Sequence, residues 1–552
     1  MADSQFHFQQ LETLRSERSN WDSQWEEAAA RIIPAHRNSF IGRGNDNAFG
    51  AQGQKKTEEL FDSTAAIACQ RFSAVMESLS TPQAGIWHRL MPADKTLKRN
   101  RGVRLFFDAL NERLFSYRYR PVAGFVANSQ QCYQSLGAYG NFSLFVDIPD
   151  KTPGLRYRSM HLGETFWKEN HAGIVDTVYR SFFLTARQAV QRFGEVVPDL
   201  ISTQAKSAAQ SENKHEFLHV VHPREDYDPT RIDAKGKKFE SLYIARPEYK
   251  IVQEGGFNSF PFPSARYTQA SGELYGRGPA QWVLPAIKTL NEQKKVVLKQ
   301  GHRIVDPVLL AYDDGTMSSF SLRNGAVNYG GVNADGRPLI HTLPTGNLTV
   351  GDKMMEMERQ VINDAFLMTL FQILVDTPQM TATEVLERTR EKGILIAPTA
   401  GRLQSEFLGP MIDREIDLLE QQGLIPPFPP ILREAGGMYA IEYDSPMSRM
   451  QRAEKASGFM RAWSMAGEYV KATGDLEPLD HFDLDVAMPE VIDIMGAPIE
   501  WTRSAEAVAA RREMRKKALE QQQMVDAAPA MASVAKSMPP EAMQAAASQV
   551  AA

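Results

Sequence analysis

The 552-residue sequence predicts an α+β protein built from several parts in an elongated subunit. Three observations lead there. The length exceeds what a single hydrophobic core usually serves. Apolar residues recur with helical spacing through residues 1 to 140 and again after Pro279. Between these stretches, from Ser143 to about Arg266, short β-branched and aromatic runs alternate with turn residues.

In the N-terminal part, Leu11, Leu14, Trp21, Trp25, Ala28 and Ile32 mark one apolar helical face that Pro34 ends. A Gly/Asn-rich loop runs from Gly42 to Gly53. Leu60, Phe61, Ala65, Ala68, Phe72, Met76 and Leu79 then form a second amphipathic run, closed by Pro82. Two more helices are expected near 102–118 and 122–138. In the β-rich region SLFVDI, LRYRSMHL, GIVDTVYRSFF, EFLHVVH and SLYIA read as strands, interrupted by one helix capped at Thr185 and ended by Gly194.

Helix resumes at Pro279 or Pro285, because proline is tolerated in the first turn, and continues to Gly301. Ile287, Leu290, Val297 and Leu298 share one face of it, and Lys288, Glu292, Lys295 and Lys299 form a stripe on another. Residues 303 to 350 read as short strands broken by the turn signals Asp313-Asp314-Gly315, Asn324-Gly325 and Asp335-Gly336. A helix from Asp352 to Leu374 follows, Met-rich at its start and apolar nearly all round at its end.

Thr381-Ala382-Thr383-Glu384 is a capping box opening a helix that ends at Gly393. The next helix, Thr399 to Gln422, turns Leu403, Phe407, Met411, Leu418 and Leu419 inward. Pro410 should kink it, because the proline ring collides with the Glu406 carbonyl. Pro426-Pro427-Phe428-Pro429-Pro430 is a stiff extended connector. Helices are expected at 447–472 and 502–524, the second basic with Arg503, Arg511, Arg512, Arg515, Lys516 and Lys517. Residues 525–552 hold 11 alanines and read as a flexible or weakly helical tail.

A hydrophobic fraction of 43% and a charged fraction of 23% are ordinary for a soluble folded protein. With 62 basic and 67 acidic residues the net charge is −5, unlike a protein that grips nucleic acid tightly. Cys69 and Cys132 lie in apolar helical surroundings and are expected as buried free thiols, which suits a reducing cytoplasm. MADSQFHFQQ has neither a basic n-region nor an apolar core, so no secretory signal is expected. The most apolar run, Ala365 to Val375, is shorter than the ~20 residues of a membrane span. A soluble, intracellular protein is expected.

His215-Glu216-Phe217-Leu218-His219 matches the HExxH pattern of zinc proteases. That chemistry needs a helix that puts both histidines on one face, with the glutamate as general base. Val220, Val221 and His222-Pro223 follow directly and favour a strand carrying surface histidines instead. The Gly-rich segment ending Gly53-Gln54-Lys55-Lys56 lacks the GxxxxGK[ST] of a phosphate-binding loop, so no nucleotide site is expected.

The stretch Tyr275-Gly276-Arg277-Gly278-Pro279 runs on as AQWVLPAIKTLNEQKK to Lys295. About eighty residues later comes Met380-Thr381-Ala382-Thr383-Glu384-Val385-Leu386-Glu387-Arg388. Asp62-Ser63-Thr64, Leu79-Ser80-Thr81-Pro82, Trp87-His88-Arg89-Leu90, Val175-Asp176-Thr177-Val178-Tyr179-Arg180, Leu184-Thr185-Ala186-Arg187-Gln188 with Phe193-Gly194, Arg402-Leu403-Gln404-Ser405-Glu406 and Tyr443-Asp444-Ser445-Pro446 extend the pattern. In this order and spacing, residues 10 to 500 resemble the head-to-tail connector, or portal, proteins of short-tailed double-stranded DNA phages. The last fifty residues lie outside the resemblance.

The resemblance implies a dodecameric ring of elongated subunits. Residues 1–275 would form the wing (helical to about 140, then β-rich), 276–302 the first stem helix, 303–350 the clip and 351–375 the second stem helix. Residues 376–381 would be the tunnel loop, 382–446 the kinked wing helix and Pro-rich connector, 447–524 the crown and 525–552 the Ala-rich tail. Such a ring occupies one capsid vertex of the virion after assembly in the host cytoplasm, passes DNA during packaging and ejection, and carries the tail. Its implied partners are further copies of itself, double-stranded DNA, the terminase large subunit, tail adaptor and tail tube proteins, the major capsid protein, and scaffolding and internal ejection proteins. No covalent chemistry, cofactor or metal is implied.

On this reading Lys288, Lys295 and Lys299, with Thr377, Pro378 and Gln379 of the tunnel loop, would face DNA in the channel, and Asp313 and Asp314 would dock partners at the clip. Basic bands of that kind contact phosphates without reading bases. A mildly acidic chain suits DNA that slides. The alternatives are a zinc metalloprotease using His215, Glu216 and His219, and another non-enzymatic structural protein of the virion.

Overall fold

The computed structural model describes residues 2–41, 55–311, 321–344, 348–368, 398–434, 438–443, 446–474, 477–484 and 507–518. Positions 84, 95, 150, 151 and 322 within those ranges are excepted, and a few isolated positions lie beyond them. The chain divides into two compact units. One comprises Met1–Met91, Phe107–Phe428 and Tyr439–Met447; the other comprises Pro92–Phe106, Pro429–Met438 and Ser448–Ala552.

The first apolar face is carried by two helices, α1 (Ala2–Glu17) and α2 (Ser19–Ile32), where the spacing predicts one. The break falls at Arg18, whose buried guanidinium donates to the carbonyls of Leu162 and Thr165 and lies 3.7 Å from the centre of the Phe166 ring. Next come α3 (Thr64–Ser80), β1 (His88–Pro92), α4 (Arg101–Arg118) and α5 (Phe125–Tyr139), the last two close to expectation. α3 packs on α5 so closely that a Cβ on Gly137 would meet the Phe72 ring at 2.9 Å. Cys69 and Cys132 are buried free thiols there, and burial pushes both up to about 12.

The β-rich region contains β2 (Asn141–Asp147), β3 (Arg156–Met160), β4 (Thr165–Glu169), β5 (Val175–Thr185), β6 (Lys214–Pro223), β7 (Phe239–Ala245), β8 (Lys250–Phe257) and β9 (Ser264–Arg266). They form an antiparallel five-stranded sheet, β4-β5-β6-β7-β8, and a three-stranded sheet, β3-β2-β9. Strand alternation sends Phe166, Tyr179, Leu218, Val220, Leu242 and Ile244 to one face of the larger sheet, where Phe8, Leu11 and Leu14 of α1 cover them. Phe182, Phe217, Tyr243 and Val252 point to the other face, beneath α6 (Ala186–Phe193) and α7 (Asp199–Lys206). Thr185 caps α6 and Gly194 ends it, as the sequence predicts, and Gln188 completes a reciprocal box with Thr185.

Helix returns with α8 (Pro279–Trp282) and α9 (Leu284–Val305), each with its proline in the first turn. Beyond α9 lie β10 (Leu309–Ala311), β11 (Ile340–Thr342) and α10 (Leu348–Ala365). The helix expected from Asp352 to Leu374 therefore starts earlier and stops at Ala365. Phe366 is fully buried with its ring 6.1 Å from that of Phe72, and the chain then turns through Leu367 at φ 61°. Residues 369–397, with the Thr381–Glu384 capping box, lie outside the described residues. The proline problem at Pro410 is solved by a π turn, Gln404–Leu408, leading into the helix Gly409–Gln421. The extra residue in that turn lets Gly409 N–H reach the Gln404 carbonyl and removes the Glu406 carbonyl from its usual role.

The second unit contains most of the helix Pro446–Thr473, where the rings of Phe459, Trp463 and Phe482 gather at 5.4–6.5 Å. Residues 507–518 are helical and carry Arg511, Arg512, Arg515, Lys516 and Lys517. Arg503 and residues 522–552 lie outside the described residues.

In the first unit α4 is joined to the helix Gly409–Gln421 by a fully buried ion pair. Arg118 Nε donates to Glu415 Oε1 at 3.0 Å, Tyr157 Oη donates to the same carboxylate, and His88 Nε2 lies 2.9 Å from Arg118. Burial disfavours the charges, but Glu415 holds the Arg118 guanidinium above its ordinary range. Removing one partner strands the other charge out of water. Glu415→Ala is expected to destabilise this unit by about 3–5 kcal/mol. Denaturant titration checks this; a loss near zero contradicts it.

Candidate functional site

The Tyr275-Gly276-Arg277-Gly278-Pro279 stretch is the junction between the β-rich region and α8. Its backbone crosses the C-terminus of α5 at Gly140, where φ is 73°. A Cβ on Gly140 would approach the Gly276 carbonyl to 2.7 Å, and one on Gly278 would approach the Leu136 carbonyl to 2.6 Å. Only glycine permits that approach. Asn141 fastens it: its amide donates to the Tyr139 and Gly276 carbonyls, and Gly276 N–H donates back to Asn141 Oδ1 at 2.7 Å. Tyr275 is buried among Trp21, Trp25 and Trp167, with ring centroids 5.2–6.0 Å away. Arg277 pairs with Glu273 and covers the Trp21 ring at 4.8 Å.

From this junction α9 departs, and α10 lies against it; a Cβ on Gly351 would meet Val297 at 3.0 Å. The Asp62-Ser63-Thr64 segment ties both helices to α3. Asn291 of α9 accepts from the backbone N–H groups of Phe61 and Asp62 and donates to the Glu59 carbonyl. Asp62 accepts from Thr64 N–H and pairs with Arg359 of α10 at 2.9 Å. Burial works against the Asp62 carboxylate, but the Thr64 hydrogen bonds and Arg359 outweigh it and hold its pKa below the ordinary 3.8.

Lys288, Lys295 and Lys299 lie on one side of α9, as the wheel predicts. Lys288 and Lys299 are exposed. Lys288 Nζ donates to Glu27 at 3.0 Å, while Lys295 is 3.6 Å from Glu292 and 5.6 Å from the Phe61 ring centre. Exposed pairs of this kind are worth only about 0–1 kcal/mol, so the lysines can exchange partners with another anion. Between α9 and α10, β10 and β11 pair Leu309 with Thr342 and Ala311 with Ile340. The expected turns at Asn324-Gly325 and Asp335-Gly336 are present, with Gly325 at φ 80° and Gly336 at φ 77°. Asp313, Asp314, Thr377, Pro378 and Gln379 fall outside the described residues, so nothing places them beside the lysines.

α10 also carries the methionines that make the start of this helix Met-rich in the sequence. Met354, Met357 and Val361 are 51%, 66% and 48% exposed, and their i, i+3, i+7 spacing puts them on one stripe. Met355 and Ile362 on another side of the helix are buried, as is Phe366 just beyond its end. The spacing was readable, but which of the two stripes would be covered was not.

The HEFLH segment lies in β6, as expected of a strand, so Glu216 faces away from both histidines. The expectation of surface histidines needs correction for His219. It is 1% exposed, stacked on Tyr243 at 3.9 Å and within 3.0 Å of Ser241 Oγ, because its side of β6 lies on the covered face of the sheet. His215 meets Gln204, and Glu216 accepts from Arg15, Ser181 and Arg246. The motif residues fasten α1 and α7 to the sheet. Among the described residues no group of three or more His, Cys, Asp or Glu side chains could hold a metal ion, and no helix is long and apolar enough to cross a membrane.

The described residues thus present two helices anchored on a glycine junction, with an exposed apolar stripe and a turn-rich connector between them. The chain belongs to the bacteriophage head to tail connecting proteins, whose family model matches residues 7–501. It is 26% identical over 519 residues to the probable portal protein of Bordetella phage BPP-1, covering 91% of this chain and 89% of that protein. It is also 26% identical over 546 residues to the portal protein of Salmonella phage epsilon15, covering 96% and 94%.

The Asp62–Arg359 pair gives a pH test. Because the folded pKa of Asp62 is depressed, its contribution is fully present above the unfolded value and is lost as pH falls through the folded one, a window below the ordinary 3.8. Asp62→Asn is expected to lower stability near neutral pH and to flatten the acid limb of the stability curve. Unfolding measured as a function of pH checks this; an unchanged acid limb in the variant contradicts it.

Proposed function

We propose that the chain works as a portal: a closed ring at one capsid vertex through which double-stranded DNA enters and leaves, and on which the tail is built. The observation that carries this reading is the Met354/Met357/Val361 stripe on α10, with Val296, Leu298, Ile304 and Val305 also exposed on α9. This is more apolar surface than the α9–α10 pair covers by itself. A second copy is the occupant that fits, since one apolar face meeting a different face of its neighbour generates a ring when the rotation closes. Family membership and the names of the two relatives support the same reading.

In this ring α9 and α10 are the stem, and twelve copies follow from the resemblance. The lysine stripe of α9 repeats around the channel as bands that contact phosphate and carry no sequence information. The loop with Thr377, Pro378 and Gln379 projects into the channel, uncharged and stiffened by proline. Asp313 and Asp314 belong to the clip, where terminase and then the tail adaptor and tail tube proteins dock. The major capsid protein, scaffolding and internal ejection proteins meet the other parts. The mechanism is geometric and makes or breaks no covalent bond.

Met357→Glu combined with Val361→Glu places charges in the seam and spares the buried side of α10. Sedimentation velocity is expected to show monomer in place of ring, with unchanged helical circular dichroism. A ring of undiminished size sinks the seam as the interface.

Lys288→Gln, Lys295→Gln and Lys299→Gln together are expected to leave the ring intact and to alter the rate of DNA packaging or the retention of packaged DNA. Weak, sequence-independent binding of free duplex should also become less salt-dependent. Packaging and retention identical to the parent protein would return the stripe to the status of a solvated helix face.

A further inference from the structure

Four arginines from three elements gather on the β-rich region. Arg156 and Arg158 stand on β3, Arg180 on β5 and Arg192 in the last turn of α6. The guanidinium groups of Arg180 and Arg192 approach the same ring, Phe182, at 4.5 and 5.8 Å from its centroid. Arg192 also lies 4.7 Å from the ring centre of Tyr243. Arg158 sits opposite Phe145 in the β2–β3 ladder. The Phe145 ring meets His219 at 6.0 Å, and His219 stacks on Tyr243. A continuous aromatic floor therefore runs from beside Arg158 to Arg192.

Among the described residues, two carboxylates answer these four cations. Glu164 accepts from Arg180 at 3.0 and 3.1 Å, and Asp147 is 3.7 Å from Arg156. Arg158 and Arg192 are exposed and have no carboxylate partner among the described residues. Partial desolvation, then the charges of Arg180, Arg156 and Arg192, hold the Arg158 guanidinium below its ordinary value, against Glu164. Like charges held this close repel one another, and an arriving anion relieves that repulsion.

We propose that this arginine cluster is a docking site for an acidic polypeptide segment, whose carboxylates pair with Arg158 and Arg192. Planar guanidinium forks on an aromatic floor are pre-organised for bidentate carboxylates. A segment fits better than a single anion, because the two unpaired arginines come from different elements. A DNA duplex fits less well. Its phosphates form a ladder that calls for a stripe of cations, whereas this cluster is compact and interrupted by Glu164 and Asp147. The proposal stands independently of the ring and its channel.

The test is fluorescence anisotropy on the full chain with a labelled oligoglutamate peptide and, separately, a short labelled DNA duplex. The peptide is expected to bind with an affinity that falls as salt rises. Arg158→Glu with Arg192→Glu should weaken it about tenfold or more, the loss of roughly one charge-assisted contact per arginine. Arg158→Gln with Arg192→Gln should act in the same direction. Arg187→Glu, an exposed α6 arginine paired with Glu212, should leave binding unchanged. No peptide binding by the parent chain overturns the proposal. So does equal loss in the Arg187→Glu control, or binding of the duplex and not the peptide through Arg158 and Arg192.

Discussion

The structure depends on one close approach: the backbone of Gly276 to Gly278 against Gly140 at the end of α5. A Cβ at Gly140 or Gly278 would press to within 2.7 Å of a backbone carbonyl, and backbone cannot step aside as a flexible side chain can. Asn141 then closes the contact with hydrogen bonds in both directions. Because α8 and α9 start from this point, the direction of α9 is inherited from a contact made by residues 135 positions apart. In the ring proposed above, a root fixed in this way would give every copy the same α9 face.

Buried arginines complete the fixing. Arg266 of β9 reaches Glu406 in the π turn at 3.0 Å and Glu169 of β4 at 3.0 Å. Arg414 donates to the Val146 carbonyl and pairs with Asp417, and Arg118 pairs with Glu415. Each joins segments far apart in the chain. Apolar residues of similar volume could have supplied as much stability, since desolvation offsets most of the attraction. What directional pairs add is a penalty for any wrong register, because a misplaced arginine is left buried and unpaired.

Elements whose signal is local were legible in the sequence. The cap at Thr185, the prolines opening α8 and α9, and the Gly325 and Gly336 turns all appear where residue chemistry puts them. β4 and β8 were missed because TFWKE and KIVQEGGF carry charges or glycines that blur the alternation, and β9 has only three residues. The break at Arg18 was unreadable, since the carbonyls that hold it lie 144 and 147 residues away. The lysine stripe of the candidate site was visible on a helical wheel, but Glu27 and Phe61 beside it were not. The exposure of Met354, Met357 and Val361 is a property of the folded chain, and no spacing rule tells which of two stripes on a helix the chain itself covers.

Electron microscopy of the purified full-length chain tests the central claim most directly, that α9 and α10 meet their counterparts in neighbouring copies around an axial hole. The account predicts closed, axially symmetric rings with a central channel, in which Met354, Met357 and Val361 are buried between subunits and Lys288, Lys295 and Lys299 face the lumen. Particles that remain compact monomers across concentration and salt, or rings whose outer wall carries those lysines, would contradict it.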